Sequence, residues 1–300
     1  MTAPPVVRVV VVTYSPGDVL LTFLDTLQAA TTAPVEVVLA DNGSDDDAPE
    51  RAAAARGARV LRTGSNLGYG AAANVGAGGA QTEWLVVANP DVIWDDGALD
   101  ALLAAGLRWP HAGCLGPAIR TPSGALYPSA RAFPSLGRGV GHALLGWWWP
   151  SNPWTRSYRA EAGSPTEGTT GWLSGSLMLL RREAFEAVGG FDPSYFMYCE
   201  DMDLCRRLAD AGWSSVYVPT AVVTHSGGHA TQRVPDMMLR EHHRSLYRYL
   251  SRQYSAPRYA PLRLLLGAGL LGRYLLARRV PALAAGAEPT RSADLLDESR

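Results

Sequence analysis

Two short acidic clusters stand at positions where secondary structure is expected to begin or end. The first is Asn89-Pro90-Asp91, and the second is Glu200-Asp201-Met202-Asp203, much later in the chain. A carboxylate held at a turn can bind a divalent cation, and a carboxylate with a raised pKa can accept a proton. A reaction that moves a sugar from a nucleotide diphosphate to a hydroxyl needs both, since a cation neutralises the leaving phosphates and a base activates the hydroxyl.

The first cluster is the candidate metal site. Pro90 fixes the turn and holds Asp91 out from the end of the preceding strand. One carboxylate together with diphosphate oxygens suits Mg²⁺ or Mn²⁺, and a plain turn is the alternative. His225, at the end of a later predicted strand, is a second candidate ligand of the metal or the diphosphate. His229 competes for that role, and a lone histidine is more often structural.

The second cluster is the candidate catalytic site. Glu200, Asp201 and Asp203 place three carboxylates at a predicted helix start, where the helix dipole favours them. A purely structural cluster with an Asp203–Arg207 pair is therefore an alternative. If Asp201 faces the cleft, repulsion from its neighbours would raise its pKa towards a value useful for a base, and Glu200 could bind the acceptor.

Polar residues follow the first strands and open a later helix. Asp41 can accept hydrogen bonds from a uracil or thymine N3–H or from ribose hydroxyls, and an Asx turn is the alternative. The glycine-containing stretch after Asn66 begins a helix, where free backbone N–H groups can face a phosphate, although such a loop alone is a weak signal. The predicted nucleotide-sugar site comprises Thr13, Tyr14, Asp41, Asn42, Asn66, Gly68, Tyr69, Asn74 and Asn89.

The elements that must position these residues alternate between strand and helix in the first half of the chain. A valine-rich run over 6–14 is typical of a strand buried on both faces, and helical spacing over 18–30 followed by a strand over 35–39 completes a βαβ unit. The alternation predicts a Rossmann-like half, in which ligands bind at the carboxyl ends of strands. The further predicted elements are a helix at 52–55, a strand at 58–61, a helix start at 66–79 and a strand at 84–88.

The second half is less regular. A helix is predicted over 97–107, and residues 113–170 lack periodicity, which indicates a loop-rich acceptor region. Its tryptophans at 147, 148, 149 and 154 could stack on a sugar, lie at a membrane interface or fill a small core. Beyond it the pattern predicts a strand within 171–181, helices over 182–189 and 199–211, and a last strand over 216–224.

Composition excludes several classes of enzyme. All 27 basic residues are arginine, so P-loop ATPases, PLP enzymes and Schiff-base aldolases, which need a lysine, are excluded. Three cysteines without a Cys-x-x-Cys pair indicate neither a disulfide framework nor a zinc knuckle, which agrees with a reducing cytosol. The N-terminus shows no signal pattern, so we expect the catalytic domain in the cytoplasm.

The C-terminal region is basic. Residues 240–279 hold nine arginines and one acid, Glu241, a net charge of +8. Arg240, Arg244, Arg248 and Arg252 recur every four residues, which suits one helix face against anionic lipid headgroups. The apolar run over 264–272 is too short to span a bilayer, so we expect contact with a membrane rather than a crossing. A solvated basic helix or an acidic partner is the alternative, and no nucleic-acid-reading motif is present.

Together these motifs resemble those of the inverting family 2 glycosyltransferases of the GT-A fold, over about residues 6 to 230. The resemblance implies Asp41 at the nucleotide, Asp91 at the metal, Asp201 as base, and Trp172, Ser174, Gly175 and Glu200 at the acceptor. One departure is Asn89, which occupies the first position of the family's usual Asp-x-Asp motif. The resemblance rests on Val-Thr-Tyr at 12–14, Ala-Asp-Asn-Gly-Ser at 40–44, Asn-Leu-Gly-Tyr-Gly at 66–70, Asn-Pro-Asp at 89–91, Trp-Leu-Ser-Gly-Ser at 172–176 and Glu-Asp-Met-Asp-Leu at 200–204.

Within this family the chain is most similar to actinobacterial rhamnosyltransferases, through Tyr-Pro-Ser-Ala-Arg at 127–131, Asn-Pro-Trp-Thr at 152–155 and Tyr-Phe-Met-Tyr at 195–198. That similarity implies transfer of L-rhamnose from dTDP-L-rhamnose to decaprenyl-diphospho-N-acetylglucosamine, with Mg²⁺ or Mn²⁺, at the inner face of the plasma membrane. A sister transferase with a galactofuranosyl or other hexosyl donor, a nucleotidyltransferase and a non-catalytic nucleotide-sugar-binding module are the alternatives, and a homo-oligomer stays open.

The expected organisation is a GT-A domain over 1–230, with a nucleotide-sugar-binding half at 6–95 and an acceptor-binding and catalytic half at 96–230. A helical, basic, membrane-associating extension at 231–285 and a disordered tail at 286–300 follow.

Overall fold

The computed structural model describes residues 5–134, 166–227 and 235–279. The tryptophans at 147–149 and 154, the motif at 152–155, His229 and the predicted tail at 286–300 lie outside these residues. The described strands are β1 (Val7–Thr13), β2 (Val35–Asp41), β3 (Arg59–Arg62), β4 (Trp84–Ala88), β5 (Val92–Trp94), β6 (Ala112–Arg120), β7 (Leu126–Tyr127), β8 (Ala130–Arg131), β9 (Gly168–Thr170), β10 (Trp172–Leu173), β11 (Leu177–Arg181) and β12 (Ser214–His225).

Helices cover both faces of the sheet and continue beyond it. In chain order they are α1 (Val19–Ala30), α2 (Ala48–Arg56), α3 (Tyr69–Ala77), α4 (Ala98–Arg108), α5 (Arg182–Ala187), α6 (Glu200–Asp210), α7 (Pro235–Gln253) and α8 (Ala260–Arg279). Ten strands form one sheet in the order β3-β2-β1-β4-β11-β6-β12-β5, with β7 beside β6 and β9 beside β12, while β8 and β10 pair separately. This mixed α/β sheet confirms the predicted fold class.

The first half is the predicted Rossmann-like half. Every residue of β1 is buried, because Val9 and Val11 pack into the core under α1 and α4 while Val10 and Val12 pack into the core under α3. The parallel partners of β1 bring Asp41 level with Thr13 and Ala88 level with Val11. The carboxyl ends of β1, β2 and β4 therefore meet at one edge of the sheet, as the motif positions predicted.

The second half corrects the sequence interpretation in two places. The segment beginning at residue 113 was expected to be loop-rich, but β6 is a nine-residue strand near the middle of the sheet. Its small residues hide the strand pattern because they are dictated by packing: a Cβ at Gly116 would lie 2.8 Å from the Leu173 side chain. The single strand expected within 171–181 is divided into β10 and β11 by a turn, which becomes part of the candidate site.

The C-terminal helices pack against the loop that precedes α6. The Ser245 hydroxyl donates to the Met197 carbonyl at 2.8 Å, and Tyr195, Met202 and Tyr249 form a buried cluster between α7, the loop and α6. Arg252 pairs with Asp192 and with Asp203 and lies near the Tyr195 ring. The charge of Arg252 is therefore paired with two carboxylates of the protein, although its side chain stays 48% exposed.

The segment Pro257–Arg278 is long and apolar enough to cross a membrane by length and composition. Its exposed leucines include Leu264 and Leu265, which are 74% and 72% exposed. The expectation that this region is too short to cross a membrane is therefore wrong by length, because the helix extends beyond the uninterrupted apolar run over 264–272. Arg263 and Arg273 flank the apolar run in the sequence, but neither ends the helix, which continues through both.

Candidate functional site

The ends of β1 and β2 hold an acidic residue in a closed set of contacts. Asp41 is 1% exposed and accepts hydrogen bonds from the Thr13 hydroxyl at 3.3 Å and the Ser44 amide at 3.2 Å. Its other oxygen pairs with Arg62 at 3.0 Å. Asp41 therefore forms the Asx-type contact that was the alternative, and it also stands at the strand end predicted for the nucleotide site. Arg62 was not predicted, although it directly follows the strand that the sequence predicts over 58–61. In the structure it ends β3 in register with Asp41.

The glycine loop before α3 is held by amide side chains. The Asn42 side-chain oxygen accepts from the Leu67 amide at 2.8 Å, and the Asn66 oxygen accepts from the Gly68 amide at 3.0 Å. The Tyr69 amide donates to the Phe196 carbonyl at 3.0 Å. The expectation of free N–H groups facing a phosphate is therefore wrong for these three amides, because the fold already uses them.

Asn74 does not face a ligand site. Its side-chain nitrogen donates to the Phe191 carbonyl at 2.7 Å, and its oxygen accepts from the Phe191 amide at 2.9 Å. Both polar atoms thus join α3 to the segment before α6. The prediction of Asn74 as a nucleotide-sugar contact is wrong in this structure, and Asn74 is a positioning residue for that segment.

Asp91 and His225 lie 134 positions apart in the sequence and come together in the structure. The Asp91 carboxylate lies 3.2 Å from His225 Nε2 and accepts from the Ser226 hydroxyl at 3.0 Å and the Gly227 amide at 3.1 Å, while the Asn89 side-chain nitrogen lies 3.1 Å from the same imidazole nitrogen. Burial opposes ionisation of Asp91, but the hydrogen bonds from His225 and Ser226 outweigh it and lower its pKa. The carboxylate is therefore ionised at neutral pH.

This donor set fits a hard divalent cation that is completed by a ligand. Within the described residues no three His, Cys, Asp or Glu side chains cluster as a metal cage. One carboxylate, one imidazole and an amide oxygen leave coordination positions for phosphate oxygens, as Mg²⁺ and Mn²⁺ sites in phosphate-transferring proteins commonly do. The predicted residues Asn89, Asp91 and His225 are thus brought together.

The turn between β10 and β11 fixes Asp201. The Gly175 amide donates to one Asp201 oxygen at 2.8 Å, and the Met202 amide donates to the other at 2.7 Å. The Gly175 carbonyl accepts from the Tyr69 hydroxyl at 2.7 Å. A Cβ at Gly175 would lie 3.2 Å from the Asp201 Cβ, so the absence of a side chain there lets the turn approach the carboxylate.

Glu200 is the buried partner of Asp201. It is 6% exposed, and its Oε2 is buried without a hydrogen-bond partner among the described residues. Burial and then the charge of Asp201 raise the pKa of Glu200 to about 8. Burial also raises the pKa of Asp201, against the backbone hydrogen bonds that lower it. The predicted direction for Asp201 holds, but its cause is burial rather than repulsion from neighbouring acids.

The third carboxylate of the cluster is structural. Asp203 pairs with Arg207 at 2.7 Å, as the alternative reading proposed, and accepts from the Tyr195 hydroxyl at 3.3 Å. The backbone just before α6 adopts left-handed conformations at Tyr198 and Cys199, with φ of 67° and 64°. Such conformations cost about 1–3 kcal/mol each in non-glycine residues, and the strain lies directly before Glu200.

Tyr69 lies between the two acidic clusters. Burial, and then the negative charges of Glu200, Asp201 and Asp91, raise the pKa of its hydroxyl well above the ordinary value. All three carboxylates therefore lie within electrostatic reach of one ring, although Asp91 is more than a hundred positions away from the other two in the sequence. Tyr14 is half-buried after β1.

Of the predicted acceptor residues, Trp172 lies in the small sheet of β8 and β10, Ser174 and Gly175 lie in the turn that follows it, and Glu200 begins α6. The Trp172 indole donates to the Ala132 carbonyl at 3.2 Å, and the Ser174 amide donates to the Ser129 carbonyl at 2.8 Å. Opposite Trp172 in this sheet stands Arg131, a residue that our sequence reasoning did not assign to the site. Its signal was the motif Tyr-Pro-Ser-Ala-Arg at 127–131, which supported the resemblance but did not indicate a role for Arg131.

Comparison of the sequence gives consistent relatives. The family model described as "Glycosyltransferase like family 2" matches residues 4–248. An N-acetylglucosaminyl-diphospho-decaprenol L-rhamnosyltransferase of Mycobacterium tuberculosis (strain ATCC 25618 / H37Rv) is 52% identical over 286 residues, covering 91% of this chain and 93% of that protein. A rhamnosyltransferase of Escherichia coli (strain K12) is 45% identical over 82 residues, covering 27% of this chain and 31% of that protein.

Solved structures share the fold. A mannosyltransferase from Pyrobaculum calidifontis in complex with GDP-Man and Mn²⁺ has a TM-score of 0.55 at 20% identity, covering 99% of this chain and 80% of that one. GalNAc-T7 with UDP, GalNAc and Mn²⁺ has a TM-score of 0.54 at 17% identity, covering 74% of this chain and 44% of that one. At these identities the likeness shows the fold alone.

Proposed function

Because this chain belongs to glycosyltransferase family 2 and is a hexosyltransferase, we propose that it transfers L-rhamnose from dTDP-L-rhamnose to N-acetylglucosaminyl-diphospho-decaprenol, with inversion. The product is the linker between arabinogalactan and peptidoglycan in the cell wall. The donor and acceptor are supported by the 52% identity to a protein of that name, which extends over nearly the whole of both chains.

The observation that carries the mechanism is the convergence of Asp91, Glu200 and Asp201 around Tyr69. Sugar transfer needs a group that neutralises the negative charge of the leaving diphosphate and a base that takes the proton of the incoming hydroxyl. These two groups must act on opposite sides of one sugar ring. The contact between Tyr69 and Gly175, and that between Gly175 and Asp201, tie the first half of the fold to the base with two hydrogen bonds.

In the proposed reaction Asp201 accepts the proton of an acceptor hydroxyl. The oxygen forms a bond to the anomeric carbon of rhamnose from the face opposite the nucleotide, the bond from that carbon to the diphosphate oxygen breaks, and dTDP leaves with the electron pair. The Gly175 and Met202 amides hold the Asp201 carboxylate in position for this step. Glu200, with a pKa of about 8, is mostly a neutral acid at pH 7 and can donate a hydrogen bond to the acceptor.

Asp91, His225 and Asn89 are the residues that would hold Mg²⁺ or Mn²⁺ together with diphosphate oxygens. When bound there, the cation supplies charge neutralisation at the leaving group. The Mn²⁺ named with two solved structures of this fold supports a divalent cation, and the single carboxylate of Asn89-Pro90-Asp91 leaves room for phosphate ligands. Asp41 and Arg62 lie at the adjacent strand ends, where the nucleotide is proposed to bind.

The C-terminal helices are proposed to hold the enzyme at an anionic bilayer on the cytoplasmic side. The apolar surface of α8 includes Leu264, Leu265 and Leu271, all more than half exposed, and Arg240 and Arg244 of α7 are exposed too. Exposed leucines together with exposed arginines complement a surface of acyl chains and phosphate headgroups. A polyprenyl acceptor is confined to such a surface, so this docking would bring the cleft to its substrate.

The decisive experiment is a transfer assay with the full chain, a polyprenyl-diphospho-N-acetylglucosamine acceptor and a panel of dTDP- and UDP-sugars. Each donor is run with Mg²⁺, with Mn²⁺ and with EDTA. We expect transfer from dTDP-L-rhamnose that is lost in EDTA. Turnover of another donor alone would overturn the rhamnose assignment and keep the enzyme class. Undiminished rhamnose transfer in EDTA would exclude a requirement for a divalent cation.

A further inference from the structure

Arg131 is held rigidly at the acceptor side of the site. Its Nε donates to the Pro128 carbonyl at 2.8 Å. Its guanidinium carbon lies 5.4 Å from the centre of the Tyr127 ring and 5.1 Å from the centre of the Trp172 ring. Stacking on aromatic rings and a bonded Nε leave the outer end of the guanidinium, with its two terminal nitrogens, fixed in direction.

One of those terminal nitrogens is not used by the fold. Arg131 Nη2 is buried, and among the described residues it has no hydrogen-bond partner. Burying a charged donor without a partner is costly, so such a nitrogen is a candidate for contact with a ligand. Arg207 Nη2 is buried in the same way, but the charge of Arg207 is already paired with Asp203.

Arg181 shows what a structural arginine looks like in the same protein. It also stacks on an aromatic ring, with its guanidinium carbon 4.3 Å from the centre of Trp84. Its Nε donates to the Ala112 carbonyl at 3.2 Å and its Nη2 to the Gly106 carbonyl at 3.1 Å. The two arginines therefore differ at their outer nitrogens. Arg181 donates Nη2 to the Gly106 carbonyl and pairs Nη1 with Glu83 at 3.4 Å, whereas Arg131 Nη2 has no partner among the described residues.

The position of Arg131 connects it with the base. Arg131 and Trp172 are directly paired in the small sheet, and three residues after Trp172 the Gly175 amide binds the Asp201 carboxylate. The positive charge of Arg131 acts to lower the pKa of Asp201, which places the two side chains within electrostatic reach. Asp91 and the nucleotide-side residues stand at the ends of β1, β2 and β4, whereas Arg131 stands on the separate sheet of β8 and β10.

We propose that Arg131 binds the phosphate attached to the acceptor sugar through the outer end of its guanidinium, where Nη2 has no partner among the described residues. This rests on the proposed function, in which the hydroxyl that Asp201 deprotonates belongs to a sugar carrying a diphosphate. A planar guanidinium recognises phosphate oxygens in pairs, and its fixed direction would set the sugar so that one hydroxyl meets Asp201. Arg131 would then make the enzyme select a phosphorylated acceptor over a neutral glycoside.

The test compares two acceptors with the full-length enzyme: N-acetylglucosaminyl-diphospho-polyprenol and an alkyl N-acetylglucosaminide of matched chain length without phosphate. For Arg131→Gln we expect the KM for the diphosphate acceptor to rise roughly 10- to 100-fold, the usual value of a charge-assisted hydrogen bond, with little change in the KM for dTDP-L-rhamnose. The KM for the neutral glycoside should change less than threefold, and Arg131→Lys should fall between wild type and Arg131→Gln.

Arg181→Gln is the matched control, because it removes a stacked arginine away from the site. Urea unfolding of each variant separates loss of stability from loss of recognition. An equal rise of KM for both acceptors in Arg131→Gln would overturn the proposal and leave Arg131 a structural residue. A rise in the KM for the donor alone would assign the group to the donor diphosphate. If the wild-type enzyme transfers rhamnose to neither acceptor, the proposed function itself has failed, which is a distinct result.

Discussion

Glu200→Gln should remove a large part of the pH dependence of this protein's stability. Glu200 is 6% exposed, its Oε2 lacks a partner among the described residues, and its pKa is raised from the ordinary 4.5 to about 8 by burial and by Asp201. The folded protein therefore holds a proton on Glu200 that the unfolded chain has already lost at the same pH. Glutamine has the shape of the neutral acid and cannot ionise.

The sign follows from proton linkage. A carboxyl with a pKa that is raised on folding carries no penalty below pH 4.5, and its contribution to stability is lost progressively as the pH rises through the folded pKa. Each pH unit between those values costs about 1.4 kcal/mol. Between pH 5 and pH 8 Glu200 alone should thus lower the free energy of unfolding by on the order of 4 kcal/mol.

The measurement is urea unfolding of wild type and Glu200→Gln at pH 5 and at pH 8. Taking the difference between the two pH values cancels any effect of the amide that does not depend on pH. Asp210→Asn is the control, since Asp210 is an exposed carboxylate at the other end of α6, and it should leave the difference unchanged. If wild type and Glu200→Gln lose the same stability between pH 5 and pH 8, Glu200 is solvated or paired, and the reasoning from burial is refuted.

Three further changes test other parts of the site. Asp201→Asn should lower the transfer rate by ~100-fold or more while the nucleotide still binds, as measured by calorimetry, and an unaltered rate would remove Asp201 from the role of base. Gly68→Ala should lower the urea midpoint and the activity, because φ is +89° and a Cβ would meet the Phe196 carbonyl and lie 2.8 Å from its Cα. Gly64→Ala is the control, because φ there is +82° but the space around the Cβ is open, so the change adds backbone strain without a clash. Equal losses in both variants would exclude the clash with Phe196 as the cause. Leu265→Glu should weaken binding to anionic vesicles by roughly tenfold in cosedimentation, because burying one leucine in the bilayer contributes about that much free energy. Leu107 on α4 is similarly exposed, and Leu107→Glu should leave binding unchanged. Equal effects of the two substitutions would exclude α8 as the docking surface.

The sequence predicted the first half of the fold well because its signals are local. A valine strand buried on both faces, helical spacing and a second strand each occupy one short window, and parallel strands must end at the same edge. The residues after β1, β2 and β4 were therefore found by position alone. β6 was missed because close packing with distant residues requires glycine at Gly113, against Trp213, and at Gly116, against Leu173, and no short window of sequence contains those contacts.

Within the site the sequence determined which residue types are present, and the tertiary structure decided which of their atoms are free. Asn74 and the Leu67, Gly68 and Tyr69 amides have the chemistry of ligand contacts, but hydrogen bonds to distant backbone and side chains already occupy them. Conversely, the motif at 127–131 did not assign Arg131 to the site, and only the structure shows that its buried Nη2 has no partner among the described residues.

The same division separates the acids. The sequence by itself determined a family, a fold and two acidic clusters, because motifs and hydrophobic periods are properties of short segments. The i,i+4 spacing already offered Arg207 to Asp203, but only the tertiary structure added Arg252. It also placed the Asp201 carboxylate against two backbone amides and Glu200 in an interior position that raises its pKa. The physical reason is that burial and hydrogen bonding set the proton affinity of a carboxylate, and both depend on residues that are distant in the chain.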